Sequence, residues 1–579
     1  MSFFFVLATN AVIVVQPKLL KWAFDGLETS IVVLPEPLKW AFGGLEGEIT
    51  YWKISFLAAL IFGAALVGGA LRFGQRQVIQ SAARRMEYQL RNDFFTHLQK
   101  LPASYYNDVR TGDLMARATS DMNSIRMVLS MGISYIADAL IFFALALVIM
   151  LDIDVQLTLL ALLPYPILAV LIKELGKRVY RYHTRIQEGF ATMNTKVQEN
   201  LSGVRVVKAY TLEASEIEEF EVYNRDFVQR NRDRIRVTTF FFPLFRFLPG
   251  LGIAALLWLG GIRVVEDKIT FGDFVSFSAY LMMFIRPMIT FGFIVNTFQQ
   301  GAASMERIRR ILDVKPEIAD GETTRQDINT IHGEIEFRNL NFAYPRGEPI
   351  LKNINLKIPR GSTVAIVGTT GSGKTTLINL IPRIRQAERG MVFIDGVDIQ
   401  DIPLQLLRSH IGVVEQEPFL FSDLLRNNIT YGVGDANEVE IKEVAHTADL
   451  LEQIEEFPEG LETFLGERGQ TISGGQKQRT ALARAIMIEP KILILDDAFA
   501  SVDTNTEDTI LTRLNEIMEG CTTVLISHRI STVKAADLIV VLENGEIVER
   551  GTHEELLAHN GIYAGIHEKQ LLQEELEAL

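Results

Sequence analysis

Apolar positions in the first 300 residues come in long unbroken runs, and beyond about residue 330 they come in short alternating ones. Ile54–Leu71 and Val155–Ile172 each hold 18 residues without a charge, long enough to predict membrane-spanning helices. Met127–Leu151 carries one acid, Asp138, and Phe247–Ile262 is apolar between Arg246 and Arg263. Phe274–Phe298 is apolar apart from Arg286, and with the short run Phe3–Val15 the pattern predicts six spans. Buried helices of a large soluble core are the alternative, and so many such runs in one half of a chain weigh against it. From Glu334 onward, apolar strands such as Glu334–Asn339 and Thr363–Val367 alternate with helical stretches, which predicts an α/β domain.

Charge then orients the spans. Arg72, Arg76, Arg84, Arg85 and Arg91 follow the second run, and Lys173, Lys177, Arg178, Arg181 and Arg185 follow the fourth. Basic loops mark the cytoplasmic side, whereas Asp25, Glu28, Glu36, Glu46 and Glu48 place the first loop outside. The chain is therefore expected to be a multi-pass protein of the cytoplasmic membrane. Its expected parts are a membrane domain over 1–315, a linker over 316–333 and an α/β domain over 334–579 in the cytoplasm.

Residues 13–28, IVVQPKLLKWAFDGLE, recur at 31–46 as IVVLPEPLKWAFGGLE, with 12 of 16 identical. A period seen only twice predicts a local duplication and not a solenoid. The first span is expected to end at Pro17, about 15 residues in, as in a chain whose start is cut short. No cleavable signal is evident, since a basic start and a small-residue cleavage site are missing.

Composition narrows the function classes. Of the 579 residues 48% are hydrophobic, 35 of them phenylalanine, which is high for a soluble protein. A net charge of −14 speaks against nucleic acid as a partner, because phosphate binding needs a basic surface. The single cysteine, Cys521, allows no intramolecular disulfide and fits a reducing compartment.

The chemistry sits in the second half. Gly368-Thr369-Thr370-Gly371-Ser372-Gly373-Lys374-Thr375-Thr376 fits G-x-x-x-x-G-K-[ST] directly after a strand and before a helical pattern. The glycines let backbone N–H groups face phosphates, Lys374 supplies a point charge, and Thr375 offers a hydroxyl to Mg²⁺. KILILD predicts a buried strand that delivers Asp496 beside this loop, as a second Mg²⁺ ligand. Ser473-Gly474-Gly475-Gln476, at the start of a helical stretch, combines a hydroxyl and two bare amides into a second anion site, or serves as an ordinary serine cap.

Together these motifs resemble a half-transporter of the ATP-binding cassette exporter superfamily, over essentially the whole chain. ISGGQ resembles that family's signature, with Ile472 for the usual leucine. The resemblance implies that Tyr344 stacks on adenine, that Gln416 touches Mg²⁺ and the membrane domain, and that Ser501-Val502-Asp503 forms the D-loop. It implies that His528 is the switch histidine at the γ-phosphate and that Glu467-Arg468-Gly469 is the exporter X-loop. Taken singly, Tyr344 fits a core position, His528 a surface one and Gln416 a strand-end cap. The membrane half contributes two stretches resembling cytoplasmic loops with short docking helices, expected near Thr111–Thr119 and Ser202–Lys208. The implied fold is a type IV exporter: six membrane helices plus a P-loop nucleotide-binding domain with a helical subdomain. The implied cofactors are ATP and Mg²⁺.

One residue departs from the family. After the Mg²⁺ aspartate a glutamate normally acts as general base, and here Asp497 stands in that place. A side chain one methylene shorter withdraws its carboxylate by roughly 1–1.5 Å, and misplacement by about 1 Å costs on the order of 100-fold. Family geometry pairs two nucleotide domains head to tail, each ATP lying between one phosphate loop and the other chain's signature. A weak base beside an intact signature implies an asymmetric heterodimer with a second half-transporter. A slow homodimer and a regulatory subunit that only holds ATP are the alternatives. The transported substrate is not legible, and without a peptidase domain before the spans, coupled peptide maturation is not expected. Inside the bilayer, Asp138 and Arg286 lie at similar depth, roughly 20 Å from the outer ends of their spans, and are expected to face each other or a wet cavity.

Overall fold

The computed structural model describes residues 2–29, 31–32, 47–48, 51–345 and 347–578. Most of the second copy of the duplicated stretch lies outside them. The chain divides into two compact units, Met1–Thr96 with Gly112–Asp313, and His97–Thr111 with Val314–Leu579.

The first unit is helical. Its long helices are Ser2–Thr29, Tyr51–Lys100, Pro164–Ser202, Glu213–Ala255 and Phe271–Leu312, joined by a continuous helical run from Thr111 to Ile153. Among the described residues, four helical stretches are long and apolar enough to cross a membrane: Phe4–Gly26, Ser55–Lys100, Thr111–Ile153 and Phe247–Val265. Two shorter apolar helices, Val155–Leu168 and Phe271–Phe284, occupy the other two expected spans. Tyr51–Lys100 has 50 residues and so extends about 75 Å, well past the ~30 Å hydrocarbon core. The first helix does not stop at Pro17: it runs on to Thr29 with the proline inside. Neighbouring helices in a membrane bundle compensate the single backbone bond a proline removes.

Packing in this unit centres on Phe142, Met150, Leu157, Phe277, Tyr280 and Leu281. Two buried phenols stay satisfied, Tyr165 donating to the Leu281 carbonyl at 3.0 Å and Tyr280 to that of Val14 at 2.7 Å. Lys21 pairs with Asp273 at 2.6 Å, and the Asp25 carboxylate accepts from the Gly272 N–H at 2.8 Å, tying the first helix to the last. Large apolar side chains such as Phe62, Leu66, Phe73, Leu140, Leu159 and Trp258 point outward, as a bilayer rather than water would allow.

Both stretches expected to hold short cytoplasmic helices are helical: Val204–Ala209 overlaps Ser202–Lys208, and Thr111–Ala116 opens the stretch Thr111–Thr119. A further short helix, Ala103–Asp108, precedes the latter. Extended backbone at Pro102 and Val109 isolates that turn, whereas residues from Thr111 already belong to the helical run that continues to Ile153.

The second unit holds a six-stranded sheet. Its strands are β1 (Thr363–Val367), β2 (Ile411–Val414), β3 (Ile492–Asp496), β4 (Thr522–Ile526), β5 (Leu538–Glu543) and β6 (Glu546–Gly551), ordered β6-β5-β1-β4-β3-β2. Only β6 runs antiparallel. β3 and β4 are buried at every residue, the usual state of a parallel strand covered on both faces. One core, with Ile366, Ile394 and Val540, lies between this sheet and an antiparallel one that contains Ile335–Ala343 and Pro349–Ile358. Another, with Leu425, Leu482 and Leu495, joins the sheet to the helices Leu425–Ile429, Glu438–Thr447, Leu451–Glu456 and Gly474–Met487.

Candidate functional site: a phosphate loop at the sheet edge

Strand order alone assembles the site. β1, β4, β3 and β2 are parallel neighbours, so their carboxyl ends share one edge. There β1 leads into Gly368–Thr376, β4 into Ser527-His528, β3 ends in Asp496-Asp497, and β2 stops two residues before Gln416. Ligands of open parallel sheets bind at such an edge.

The loop after β1 needs glycine. Gly368 has φ +152°, and a Cβ there would sit 2.1 Å from the Leu542 carbonyl oxygen. Gly373, also at positive φ, starts the helix Lys374–Asn379. Lys374 is buried, and its ammonium donates to the carbonyls of Gly368 at 2.8 Å and Thr369 at 3.0 Å. Burial pulls its pKa below the ordinary lysine value, against the opposing pull of Asp496 and Asp497.

Asp496 is buried as well. Burial pushes its carboxyl above the ordinary range and Asp497 adds to this, while a hydrogen bond from Thr375, with Lys374 and His528 nearby, works the other way. A buried carboxylate and a threonine hydroxyl at one point are hard oxygen donors, and they fit Mg²⁺. Thr375 and Asp496 would hold the ion, which supplies charge neutralisation at phosphate oxygens when bound. Asp497 is half-buried at φ +48°, its backbone N–H bonded to the Ile526 carbonyl at 2.9 Å. Aspartate tolerates that left-handed backbone better than most residues. His528 and Gln416 are exposed at the same edge.

Tyr344 reaches the loop from the antiparallel sheet. Its hydroxyl lies 3.2 Å from that of Thr376, and the Arg385 guanidinium lies over its ring at 5.1 Å. That stacked arginine has no motif to announce it.

Ser473 caps the helix Gly474–Met487 in a reciprocal box, accepting from Gln476 N–H at 3.3 Å while Ser473 N–H donates to Gln476 Oε1 at 2.8 Å. This helix meets the loop Ser501–Asp503. A Cβ on Gly475 would come within 3.0 Å of the Ser501 carbonyl, and Ser501 N–H donates to Gln478 Oε1 at 2.8 Å. Asp503 caps the following helix through Thr506 N–H at 3.0 Å. Gln478 escaped the sequence reading because a buried helix glutamine has no periodic signature.

Residues 1–288 match the family described as ABC transporter transmembrane region, and residues 351–500 match ABC transporter. An ATP-dependent lipid A-core flippase of Syntrophus aciditrophicus (strain SB) is 38% identical over 512 residues, 88% of this chain and 85% of that one. The chain belongs to the ABC exporters. Another similar protein is the multidrug resistance-like ATP-binding protein MdlA of Escherichia coli (strain K12), 34% identical over 92% of the exporter chain and 89% of its own. A solved structure of a bacterial Atm1-family ABC exporter with ATP bound superposes with a TM-score of 0.79 at 26% identity, covering 98% of this chain and 97% of that one. The exporter thus has the type IV fold, a membrane-spanning helical domain followed by a cytoplasmic ATP-binding domain.

Of the two charges expected inside the bilayer, Asp138 accepts from the Asn10 amide at 3.1 Å and from the Gln75 amide at 3.2 and 3.3 Å. Arg286 lies on the helix Phe271–Leu312, and its side chain is outside the described residues.

Proposed function

We propose that this exporter moves a small or amphipathic substrate out of the cell with ATP, as one half of a heterodimer whose other half is a different ABC half-transporter. The observation that carries the asymmetry is Asp497 at the end of β3, where a longer acid would be the effective base. Lys374 and the loop amides bind phosphate oxygens, Tyr344 stacks on the base, and Thr375, Asp496 and Gln416 hold Mg²⁺. Asp497 polarises water weakly, and His528 stands at the terminal phosphate. Ser473–Gln476 and the D-loop residues Ser501 and Asp503 serve the ATP held by the partner. The amphipathic substrate class is supported by the relatives, a lipid A-core flippase and a multidrug resistance-like protein.

The test is purification of the chain alone and together with a co-expressed neighbouring half-transporter, followed by ATPase assays in nanodiscs. Fast turnover only in the mixed dimer is expected. Full turnover by the chain alone would favour a homodimer. Loss of all turnover once the partner's own site is disabled would leave this chain a regulatory subunit, whereas slow residual turnover that Lys374→Ala removes keeps its site active.

A further inference from the structure

The switch-histidine loop leaves β4 at Ser527 and turns into the short helix Ile530–Val533. His528 is exposed, so its side chain does not fix its own position. Two groups from elsewhere hold the backbone around it.

From the D-loop side comes Glu507, 2% exposed, which accepts from Arg529 and from the Thr532 hydroxyl. The same guanidinium donates to the Val502 carbonyl at 3.1 Å, and Arg529 N–H donates to Ser527 Oγ at 3.0 Å. From the other side comes Gln570, on the helix Ile562–Ala578 near the end of the chain. Its Oε1 accepts from Ile530 N–H at 2.8 Å, and its amide donates to the His528 carbonyl. One carboxamide thus bridges both ends of the turn that carries the histidine.

The helix is seated firmly enough for this. Tyr563 is fully buried in the core that contains Ile530 and Val533, Ile566 packs against the same core, and the Glu549 carboxylate accepts from Ile562 and Tyr563 N–H at 2.6 and 3.0 Å. Positions 563, 566 and 570 fall on one helical face, so the buried stripe that docks the helix also aims the amide.

We infer that Gln570 is a positioning residue for His528: it couples the placement of the switch histidine to docking of the C-terminal helix. This rests on the proposed role of His528 in ATP hydrolysis. Gln570 touches no reacting atom and acts through the backbone of residues 528–530.

The experiment uses the full-length chain purified alone in nanodiscs, whose turnover comes from its own phosphate loop. Gln570→Ala should lower kcat about tenfold, the scale of a displacement under 1 Å, with KM for ATP within about twofold. Amide exchange at Ile530 should accelerate about tenfold, as loss of one hydrogen bond requires. Gln570→Glu keeps the acceptor for Ile530 and loses the donor to His528, so exchange should stay slow while kcat falls. In a His528→Ala background, Gln570→Ala should change kcat by less than about twofold. Unchanged kcat in both Gln570 variants, or a full multiplicative loss on top of His528→Ala, overturns the inference. A thermal midpoint equal to wild type excludes simple undocking for each variant. Failure of the ATPase reading shows itself differently, as residual turnover insensitive to Lys374→Ala, and Ile530 exchange then decides the matter for Gln570.

Discussion

The Asp497 N–H donates to the Ile526 carbonyl at 2.9 Å, across the ends of two neighbouring parallel strands. The backbone of the residue in the catalytic-base position is therefore set by the sheet edge, at φ +48°, independently of its carboxylate. Exchanging the side chain tests reach with little movement of the chain, although glutamate gives up aspartate's tolerance of that backbone, at a cost of about 1 kcal/mol.

In the proposed heterodimer the two ATP sites should respond oppositely to changes in this one chain. Ser473→Ala removes a contact to the partner's ATP and should lower turnover roughly 10²–10³-fold. Asp497→Ala removes a weak base from a slow site and should lower it less than about twofold. Asp497→Glu should gain activity only where the partner's facing signature is intact. The check is an ATPase assay of the reconstituted pair. If Asp497→Ala stops hydrolysis while Ser473→Ala does not, the asymmetry is wrong.

Lys374→Ala should abolish nucleotide binding at this chain's own loop, because the charge it removes is buried among loop carbonyls and carboxylates. Fluorescent ATP-analogue titration reads this directly. Undiminished affinity would count against the site.

Asp138 should matter through its amide partners. Asp138→Ala leaves two buried amides, those of Asn10 and Gln75, without their shared acceptor, and should cost about 1–3 kcal/mol in thermal unfolding. Asp138→Asn should cost less, since its remaining oxygen still accepts. A double-mutant cycle with Arg286→Gln measures the proposed charge pair, and strict additivity removes it.

Cys521 is buried beside Thr523, and burial pushes its thiol up from the ordinary value. Thiolate is therefore scarce at neutral pH and grows only as pH rises through the raised value. A maleimide reagent should label the folded chain at least roughly 100-fold more slowly than the denatured one. Rapid labelling in the folded state would contradict this placement of the strand.

The nucleotide site was legible because its parts are short and locally determined: a glycine loop after a strand, acids at a strand end, a serine before a helix. What escaped depends on tertiary contact. Pro17 reads as a terminator, yet the bundle carries the helix through it. The separate short helix Ala103–Asp108, just before the expected stretch 111–119, carries no motif that announces it. The charge at Asp138 was visible, but its amide partners lie 128 and 63 residues away. Arg385 over Tyr344 and Glu507 under Arg529 belong to the same class, ordinary residues made important by what the fold brings alongside.

The bond between Ser501 and Gln478 makes the signature helix and the D-loop a single jaw. With glycine backbone pressed against the Ser501 carbonyl and the amide locking the other side, neither piece shifts without the other. Asp497, four residues earlier, is held to β4 through its N–H and to the same turn through its carbonyl, which accepts from Ala500 N–H at 3.2 Å. The acid and the jaw therefore share one short segment, and a shift of the jaw is felt where the acid stands.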